Sequence, residues 1–370
     1  MSQISNRAPR TRWTTNTWQR CWVAAAALAI AGCTDGSAAG PSTTVAPSLA
    51  PSSATAEIHE TELTMNVDAA ISPSGQARVA FDERGWCLET DAPTEIVCVE
   101  AAAEGSASDG IIWRPDERAV AITWGRQDPM SIIDFDTGNV TETSLREHRF
   151  LAWSPDGDAL LGLAIDVDMR YSLLDPETLD ATEFADFEGP GVPRLFWISD
   201  DLIIGSSTSG PAVFVLDQDS GSERVISGGL GEQDVRSLSA DGSVAIATDN
   251  EVERGMGDDD DPAVLLFDVV GDRSSGLTLP ADFDLDDAQL SADGKQLLVV
   301  GRTGDDQALI TGTIDDATLD VPAWTELLRW PPGAEGAPAS FVANGTLRWT
   351  GGDTAWVITE DEGLARISLS

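Results

Sequence analysis

The chain has 370 residues, enough for one large all-β body or for two or three smaller domains. A hydrophobic fraction of 42% supports a substantial core, and 34 glycines and 19 prolines suit a fold with many turns. The formal net charge of −41 excludes binding to nucleic acid or to anionic lipid headgroups through bulk electrostatic attraction.

Residues 1–32 have the pattern of a targeting sequence. Four arginines without any acidic residue precede an apolar run over residues 22–31, which is too short to span a bilayer as a stable helix. The run leads into Leu-Ala-Ile-Ala-Gly-Cys at residues 28–33, which resembles the lipobox of bacterial lipoproteins. The resemblance implies that Cys33 is lipidated, with acyl chains such as palmitate, and becomes the mature N-terminus. An ordinary secretory signal followed by a chance cysteine is the alternative.

Residues 33–60 are dominated by Ser, Thr, Ala and Pro, with few large apolar side chains. Such a segment cannot bury enough surface to fold, so it predicts a disordered tether between the anchor and the folded body. Lipid at Cys33 would hold the protein on the extracytoplasmic face of the cell membrane. We expect the folded body to be a monomer.

Cys87 and Cys98 are the two cysteines that remain for the exported body. Residues 91–94 between them have turn composition, which would set the two cysteines on facing strands. Export to an oxidising compartment then predicts a disulfide between Cys87 and Cys98. A redox-active pair is the alternative, although the spacing is not Cys-x-x-Cys.

One turn motif recurs along the chain, and Trp-Ser-Pro-Asp-Gly at residues 153–157 is its clearest copy. Ser, Pro, Asp and Gly suit successive positions of a type I turn whose glycine takes a positive φ. The third positions of the seven copies are Ser74, Asp116, Asp156, Asp200, Asp241, Asp293 and Asn344. Their spacing of 40 to 52 residues is typical of propeller blades.

Each repeat also divides into four short strands. In the third repeat these are residues 150–153, 159–165, 171–174 and 181–184, with a second Asp-containing turn at 175–178 that recurs at 134–138 and 217–221. The pattern predicts an all-β fold, a single β-propeller of seven four-stranded blades over residues 61–370. A sandwich or two smaller β-domains would not explain repeats that stay in phase.

The two turns together resemble those of TolB-like and WD-repeat-like β-propellers of exported bacterial proteins, whose blades carry a Trp-Ser-Pro-Asp-Gly turn and a later Asp-x-x-Thr-Gly turn. Glu117 and Asp201 depart from this pattern by replacing the glycine, and residues 250–261 form an acidic insertion. The resemblance implies a propeller and no particular ligand.

The sequence contains few residues of the types that usually form catalytic sites. The chain has two histidines, His59 and His148, a single tyrosine, Tyr171, and no Gly-x-Ser-x-Gly motif. Acidic clusters at 166–168, 217–221 and 258–261 could attract Ca²⁺, but none forms a complete calcium loop. We therefore predict a non-enzymatic binding or scaffolding module without a cofactor. A calcium-dependent hydrolase or lyase with its site in the propeller channel is the alternative.

Arginines are unevenly placed on the predicted propeller. The turn aspartates fall on one face, whereas the second-to-third loops of five blades, on the opposite face, contain Arg84, Arg126, Arg170, Arg254 and Arg302. Four more arginines, Arg146, Arg149, Arg194 and Arg236, lie in or beside blade-to-blade loops. Because guanidinium groups bind carboxylates and phosphates well, this face is the candidate site for an envelope protein or an anionic ligand. Alternatively, each arginine neutralises a neighbouring aspartate, such as Asp82, Asp128 or Asp168.

Overall fold

A computed structural model describes residues 50–51, 54–65, 69–91, 94–100, 110–123, 130–142, 148–164, 170–185, 195–199, 202–206, 213–217, 222–226, 233–249, 264–339, 347–350 and 352–369. The regular elements of these residues are all β-strands, and no helix among them is long and apolar enough to cross a membrane. The predicted signal peptide with Cys33, most of the predicted tether, Arg126, Arg254 and the acidic insertion at 250–261 lie outside the described residues.

The strands form seven sheets, which we number in chain order. Two short strands come first, β1 (Ala50–Pro51) and β2 (Thr55–His59). Sheet 1 contains β3 (Ala70–Ile71), β4 (Ala77–Asp82), β5 (Gly85–Asp91) and β6 (Thr94–Val99). Sheet 2 contains β7 (Gly110–Trp113), β8 (Ala119–Thr123), β9 (Ser131–Asp134) and β10 (Asn139–Glu142). Sheet 3 contains β11 (His148–Trp153), β12 (Leu160–Ala164), β13 (Arg170–Leu174) and β14 (Ala181–Ala185).

The second half of the chain continues the same pattern. Sheet 4 contains β15 (Leu195–Ser199), β16 (Leu202–Ser206), β17 (Val213–Asp217) and β18 (Ser222–Ile226). Sheet 5 contains β19 (Gln233–Leu238), β20 (Val244–Asp249), β21 (Val264–Asp268) and β22 (Arg273–Leu277). Sheet 6 contains β23 (Phe283–Leu290), β24 (Gln296–Thr303), β25 (Asp306–Thr313) and β26 (Trp324–Trp330). Sheet 7 contains β27 (Leu347–Trp349), β28 (Thr354–Ile358) and β29 (Leu364–Ser368).

The two N-terminal strands complete the last two sheets. β2 pairs antiparallel with β29 and becomes the fourth strand of sheet 7. β1 pairs parallel with β26, so six sheets have four strands and sheet 6 has five.

The predicted boundary between tether and propeller at residues 60 and 61 is therefore wrong, since Thr55–His59 is a strand. Composition was misleading here because strand pairing uses main-chain hydrogen bonds, and four of the five β2 side chains are exposed.

Apolar side chains of consecutive sheets pack together around the molecule. Sheet 1 shares a buried cluster with sheet 2, sheet 2 with sheet 3, sheet 4 with sheet 5, sheet 5 with sheet 6 and sheet 6 with sheet 7. β11 and β15 join sheets 3 and 4. Trp356 of sheet 7 and Ala80 of sheet 1 belong to one further cluster, so the last sheet packs on the first and closes the ring.

Two of the three tryptophans that precede turns, Trp113 and Trp153, pack between sheets. Trp113 and Trp153 are buried, and the Nε1 of Trp153 donates to the carbonyl oxygen of Ile112 in sheet 2 at 3.1 Å. Trp197 is only half-buried and donates instead to Ser199 in its own strand at 2.9 Å.

The recurrent turn has the predicted geometry. Gly157 takes a φ of 79°, and Asp156 accepts hydrogen bonds from the Ser154 hydroxyl at 2.6 Å and the Asp158 amide at 3.1 Å. The Ser154 bond is the main reason that the pKa of Asp156 is lowered. The aspartate of this turn therefore has a structural role, which is to stabilise the turn.

Glu117 occupies the glycine position in sheet 2 and also adopts a positive φ, 59°. This conformation is strained for a residue with a side chain. The Glu117 carboxylate accepts hydrogen bonds from the Ser72 hydroxyl at 2.8 Å and the Ser74 amide at 2.6 Å, both in sheet 1. The side chain of Glu117, which a glycine would lack, thus links sheet 2 to sheet 1 by hydrogen bonds.

The disulfide between Cys87 and Cys98 is confirmed. The two residues lie directly opposite each other on β5 and β6 and are bonded. Cys87 is buried, whereas Cys98 is on the outer strand of sheet 1.

A buried arginine reinforces the ring closure. Arg78 of sheet 1 is fully buried, and its guanidinium contacts the carboxylates of Glu89, at 3.4 Å, and Asp91. The guanidinium also lies 2.9 Å from His59 Nε2 and 5.2 Å from the centre of the Trp356 ring. Burial, and then the charge of Arg78, lowers the pKa of His59, so the neutral ring accepts from Arg78. Sheets 1 and 7 and the closing strand β2 meet at this arginine.

Candidate functional site

A hollow of about 490 Å³ lies between sheets 6 and 7. It is lined by the β24–β25 turn, by the connection that follows β26 and by the turn that follows β28. These are second-to-third turns and a sheet-to-sheet connection, so the hollow is on the face that the sequence analysis selected. Arg302, one of the five predicted arginines, lines it.

The connection from sheet 6 to sheet 7 is held firmly against sheet 7. The Glu360 amide donates to the Ala337 carbonyl at 2.9 Å, and the Ala339 amide donates to the Ile358 carbonyl at 2.8 Å. A turn closed by the bond from the Ala334 amide to the Pro331 carbonyl, at 3.0 Å, precedes them. The wall of the hollow is therefore fixed by main-chain hydrogen bonds.

Arg302 lies in a polar row that crosses sheet 6. It is paired in register with Asp284 on β23 and with Gln307 on β25. Its Nε is 3.8 Å from Oδ2 of Asp286, which sits at a register shift in β23. The arginine side chain is 43% exposed and that of Asp286 is 14% exposed. The largely buried carboxylate of Asp286 thus lies beside the half-exposed guanidinium of Arg302.

Burial raises the pKa of Asp286 from 3.8 to about 6. Arg302 opposes this shift, whereas the neighbouring charges of Asp284 and Asp287 add to it. Oδ2 of Asp286 also accepts no hydrogen bond, so little stabilises the ionised form.

We expect the substitution Asp286→Asn to remove a pH dependence of stability. Because the pKa of Asp286 is higher in the folded protein, its protonated form favours folding, and this contribution is lost as pH rises from about 4 to about 6. Relative to the native chain, the variant should become progressively more stable over that interval. Urea unfolding at several pH values measures the difference. Asp305→Asn, on the exposed rim, is the control, and a constant difference between native chain and Asp286→Asn at all pH values would contradict the assignment.

Gln307 supplies a second orphaned acceptor. The Nε2 of Gln307 donates to Oε1 of Glu360 at 3.0 Å. The amide oxygen of Gln307, its own Oε1, takes no part in that bond. The residue is 7% exposed, and this Oε1 has no hydrogen-bond partner. Buried acceptors without a donor are uncommon and costly, so a donor that reached this oxygen would be bound favourably.

Of the other four predicted arginines, the described ones, Arg84 and Arg170, lie in sheets 1 and 3 and not in the sheet that contains Arg302. Arg84 lies in the β4–β5 turn, with its Nη2 2.6 Å from Oδ2 of Asp82. The bond from Arg84 is the main reason that the pKa of Asp82 is lowered. At this position the structure agrees with neutralisation of a neighbouring aspartate. Arg170 opens β13 on the same face, and sheet 7 stands between the sheets that contain Arg84 and Arg302.

Of the remaining four arginines, two lie in strands and two lie outside the described residues. Arg149 and Arg236 lie inside β11 and β19, rather than in connecting loops. Arg146 and Arg194 lie outside the described residues.

The described residues contain no group of three or more His, Cys, Asp or Glu side chains that could hold a metal ion. The acidic clusters at 166–168 and 258–261 lie outside them, and Asp217 is the last residue of β17. His59 and His148 belong to sheets 7 and 3, so the structure does not bring the two histidines together.

Sequence reasoning missed Asp286, Gln307 and Glu360. A signal was present for the first, because β23 reads Phe-Asp-Leu-Asp-Asp-Ala-Gln-Leu and places three carboxylates in a strand that also carries core residues. Gln307 and Glu360 had no local signal, since their role depends on two sheets meeting.

No protein-family model matches the chain, and neither does any curated protein sequence. Similar solved structures include U3-55K, 12% identical over 85% of this chain and 98% of that chain, with a TM-score of 0.58. The β-propeller domain of Cps50 (Swd1) from Myceliophteria thermophila is 10% identical over 85% of this chain and 100% of that chain, with a TM-score of 0.55.

TolB from Acinetobacter baumannii is 17% identical over 70% of this chain, with a TM-score of 0.45, and the match spans 65% of that chain. At these identities the similarities concern the fold alone. The chain is a β-propeller with four-stranded blades, the fold that its TolB-like and WD-repeat-like turns indicated.

Proposed function

We propose that the protein is a non-enzymatic binding or scaffolding module, attached by lipid at Cys33 to the extracytoplasmic face of the cell membrane. In this proposal residues 1–32 are a signal peptide, the segment from Cys33 to about residue 53 is the tether, and the seven sheets are the seven blades of one ring. The basic, then apolar, N-terminal segment and the lipobox-like residues 28–33 support the anchor.

The observation that carries the binding role is the rigid hollow between sheets 6 and 7 on the face of the second-to-third turns. A concave site with fixed walls and a few buried polar groups is the usual form of a recognition site. The partner class that we propose is a protein of the cell envelope. An anionic ligand has less support, because Arg84 is paired with Asp82 and Arg302 stands beside Asp286.

Site-specific photocrosslinking in the native host tests this role. A benzophenone side chain at Asp305, on the rim of the hollow, should give a discrete crosslinked protein. The same group at Asp156, in a turn on the opposite face, is the matched control and should give none. Equal crosslinking from both positions, or none from either, would refute a binding face at the hollow.

The anchor has its own test. Cys33→Ala should abolish incorporation of labelled palmitate and move the protein from the membrane fraction to the soluble exported fraction. Retention in the membrane fraction without label would rule out lipidation at Cys33 as the means of attachment.

A further inference from the structure

We propose that the hollow between sheets 6 and 7 binds a cationic group on an aliphatic chain, either a primary ammonium or a guanidinium. This inference deepens the proposed function and rests on it, since it names the chemistry of the group that this face receives. The arginine pattern predicted an anionic ligand, and the group proposed here carries the opposite charge.

Hydrogen-bonding capacity is the first argument. The hollow is lined by Gln307, whose Oε1 is buried and has no donor, and by Glu360, whose carboxylate accepts from the same amide. Both groups accept, and an ammonium or guanidinium group only donates. A ligand that only accepts, such as a carboxylate or phosphate, would leave Oε1 of Gln307 without a donor.

Charge is the second argument. The lining contains two carboxylates, Asp305 and Glu360, and one cation, Arg302. The guanidinium of Arg302 lies 3.8 Å from the carboxylate of Asp286, which offsets its charge. The local balance therefore favours a cation, and the net charge of −41 on the whole chain would draw cationic partners toward it.

Shape is the third argument. Pro331, Pro332 and Ala337 supply apolar lining, and Gln307 and Glu360 supply polar lining. The two parts adjoin where the Glu360 amide donates to the Ala337 carbonyl at 2.9 Å. The volume of about 490 Å³ falls within the range of small-ligand sites. A methylene chain can lie along the prolines while its charged end reaches the acceptors, as long basic side chains do elsewhere.

Calorimetric titration of the purified protein with cadaverine, a five-carbon diamine, tests the site. We expect saturable binding that Gln307→Leu and Glu360→Gln each weaken at least tenfold. Glu335→Gln removes one charge from the same connection without lining the hollow, so it should bind cadaverine as the native protein does. Thermal melting of each variant verifies that it is folded.

Two further ligands separate charge from hydrogen bonding. 1,5-Pentanediol has the same chain length without charge and should not bind measurably, whereas agmatine, which ends in a guanidinium, should compete with cadaverine. Equal affinity for the diol, binding that survives both lining substitutions, or no binding of either amine at millimolar concentration would each overturn the proposal.

A lysine-containing peptide with blocked termini distinguishes the two sources of the cation. Tighter binding of the peptide than of cadaverine would assign the hollow to a basic side chain of a protein, and the reverse order would assign it to a free amine. If the crosslink at Asp305 forms while no amine binds, this inference fails and the proposed function stands. If amines bind but no crosslink forms, the proposed function fails instead.

Discussion

A chain that begins at residue 61 is expected to lose roughly half of its stability, whereas a chain that begins at residue 54 is expected to unfold like the full-length protein. The shorter chain lacks β2, whose five residues pair with β29 from Thr55↔Ser368 to His59↔Leu364. Each main-chain hydrogen bond contributes about 1 kcal/mol net, so the lost ladder costs about 5 kcal/mol of a typical total of ~5–15 kcal/mol.

Loss of β2 has a second consequence, because it exposes the edge of β29. An unpaired edge strand is a template for pairing with other chains, so the shorter chain should also aggregate. Urea unfolding followed by tryptophan fluorescence, with light scattering on the same samples, measures both effects. The chain from residue 54 lacks only the two-residue strand β1 among the described strands, which makes it the matched control. Identical midpoints for the two chains would show that β2 does not close the ring.

Replacement of Arg78 by Met should lower the free energy of unfolding by about 3–5 kcal/mol, the usual cost of removing one partner from a buried ion pair. Arg78 is fully buried, and its loss leaves Glu89, which is 5% exposed, without its cation. The stacking of the guanidinium on Trp356 is lost as well. Methionine keeps much of the side-chain volume, so the effect reports charge and hydrogen bonding more than a cavity.

Arg84→Met is the matched control for Arg78→Met, since it makes the same change at an arginine whose side chain is 41% exposed. Exposed pairs contribute about 0–1 kcal/mol, so Arg84→Met should be nearly neutral. The double variant R78M/E89L should recover part of the loss, because apolar replacement of both partners removes the unpaired charge. Equal midpoints for Arg78→Met and Arg84→Met in urea unfolding would contradict the role assigned to Arg78.

His59, which contacts Arg78, makes the stability of this cluster depend on pH. Burial and Arg78 lower its pKa, so the stability that depends on neutral His59 is present above about pH 6.5 and decreases as pH falls below that value. The charged and titratable groups around the ring are Arg78, Glu89, Asp91 and Arg366. Among these, the two carboxylates oppose the shift, which limits its size.

Local rules account for the part of the structure that was predicted. The turn at residues 153–157 obeys preferences that act within a few positions, so Gly157 has its positive φ and Asp156 its hydrogen bonds to Ser154 and Asp158. Strand lengths and the Cys87–Cys98 pairing likewise follow from short spacings along the chain. These features could be predicted from the sequence because each depends on residues that are close together along the chain.

The candidate site was predicted only in its face and in one residue. Arg302 lines the hollow, although it lies near the end of β24 and not in the loop where it was predicted. Its neighbour Asp286 comes from another strand and changes what the arginine can bind. Gln307 and Glu360 are 53 positions apart and meet only where sheets 6 and 7 pack. No pattern within one repeat reports such a meeting.

The sequence by itself determined an all-β chain of repeated four-stranded units, the phase of those units, the turn chemistry and the disulfide. The tertiary structure alone decided that Thr55–His59 closes the ring, that Arg78 is buried beneath it, and that a net acidic hollow lies between sheets 6 and 7. The physical reason is the range of the interactions. Turns and hairpins are stabilised by groups a few residues apart, whereas ring closure and the hollow depend on contacts between segments that the chain brings together only when the whole propeller has folded.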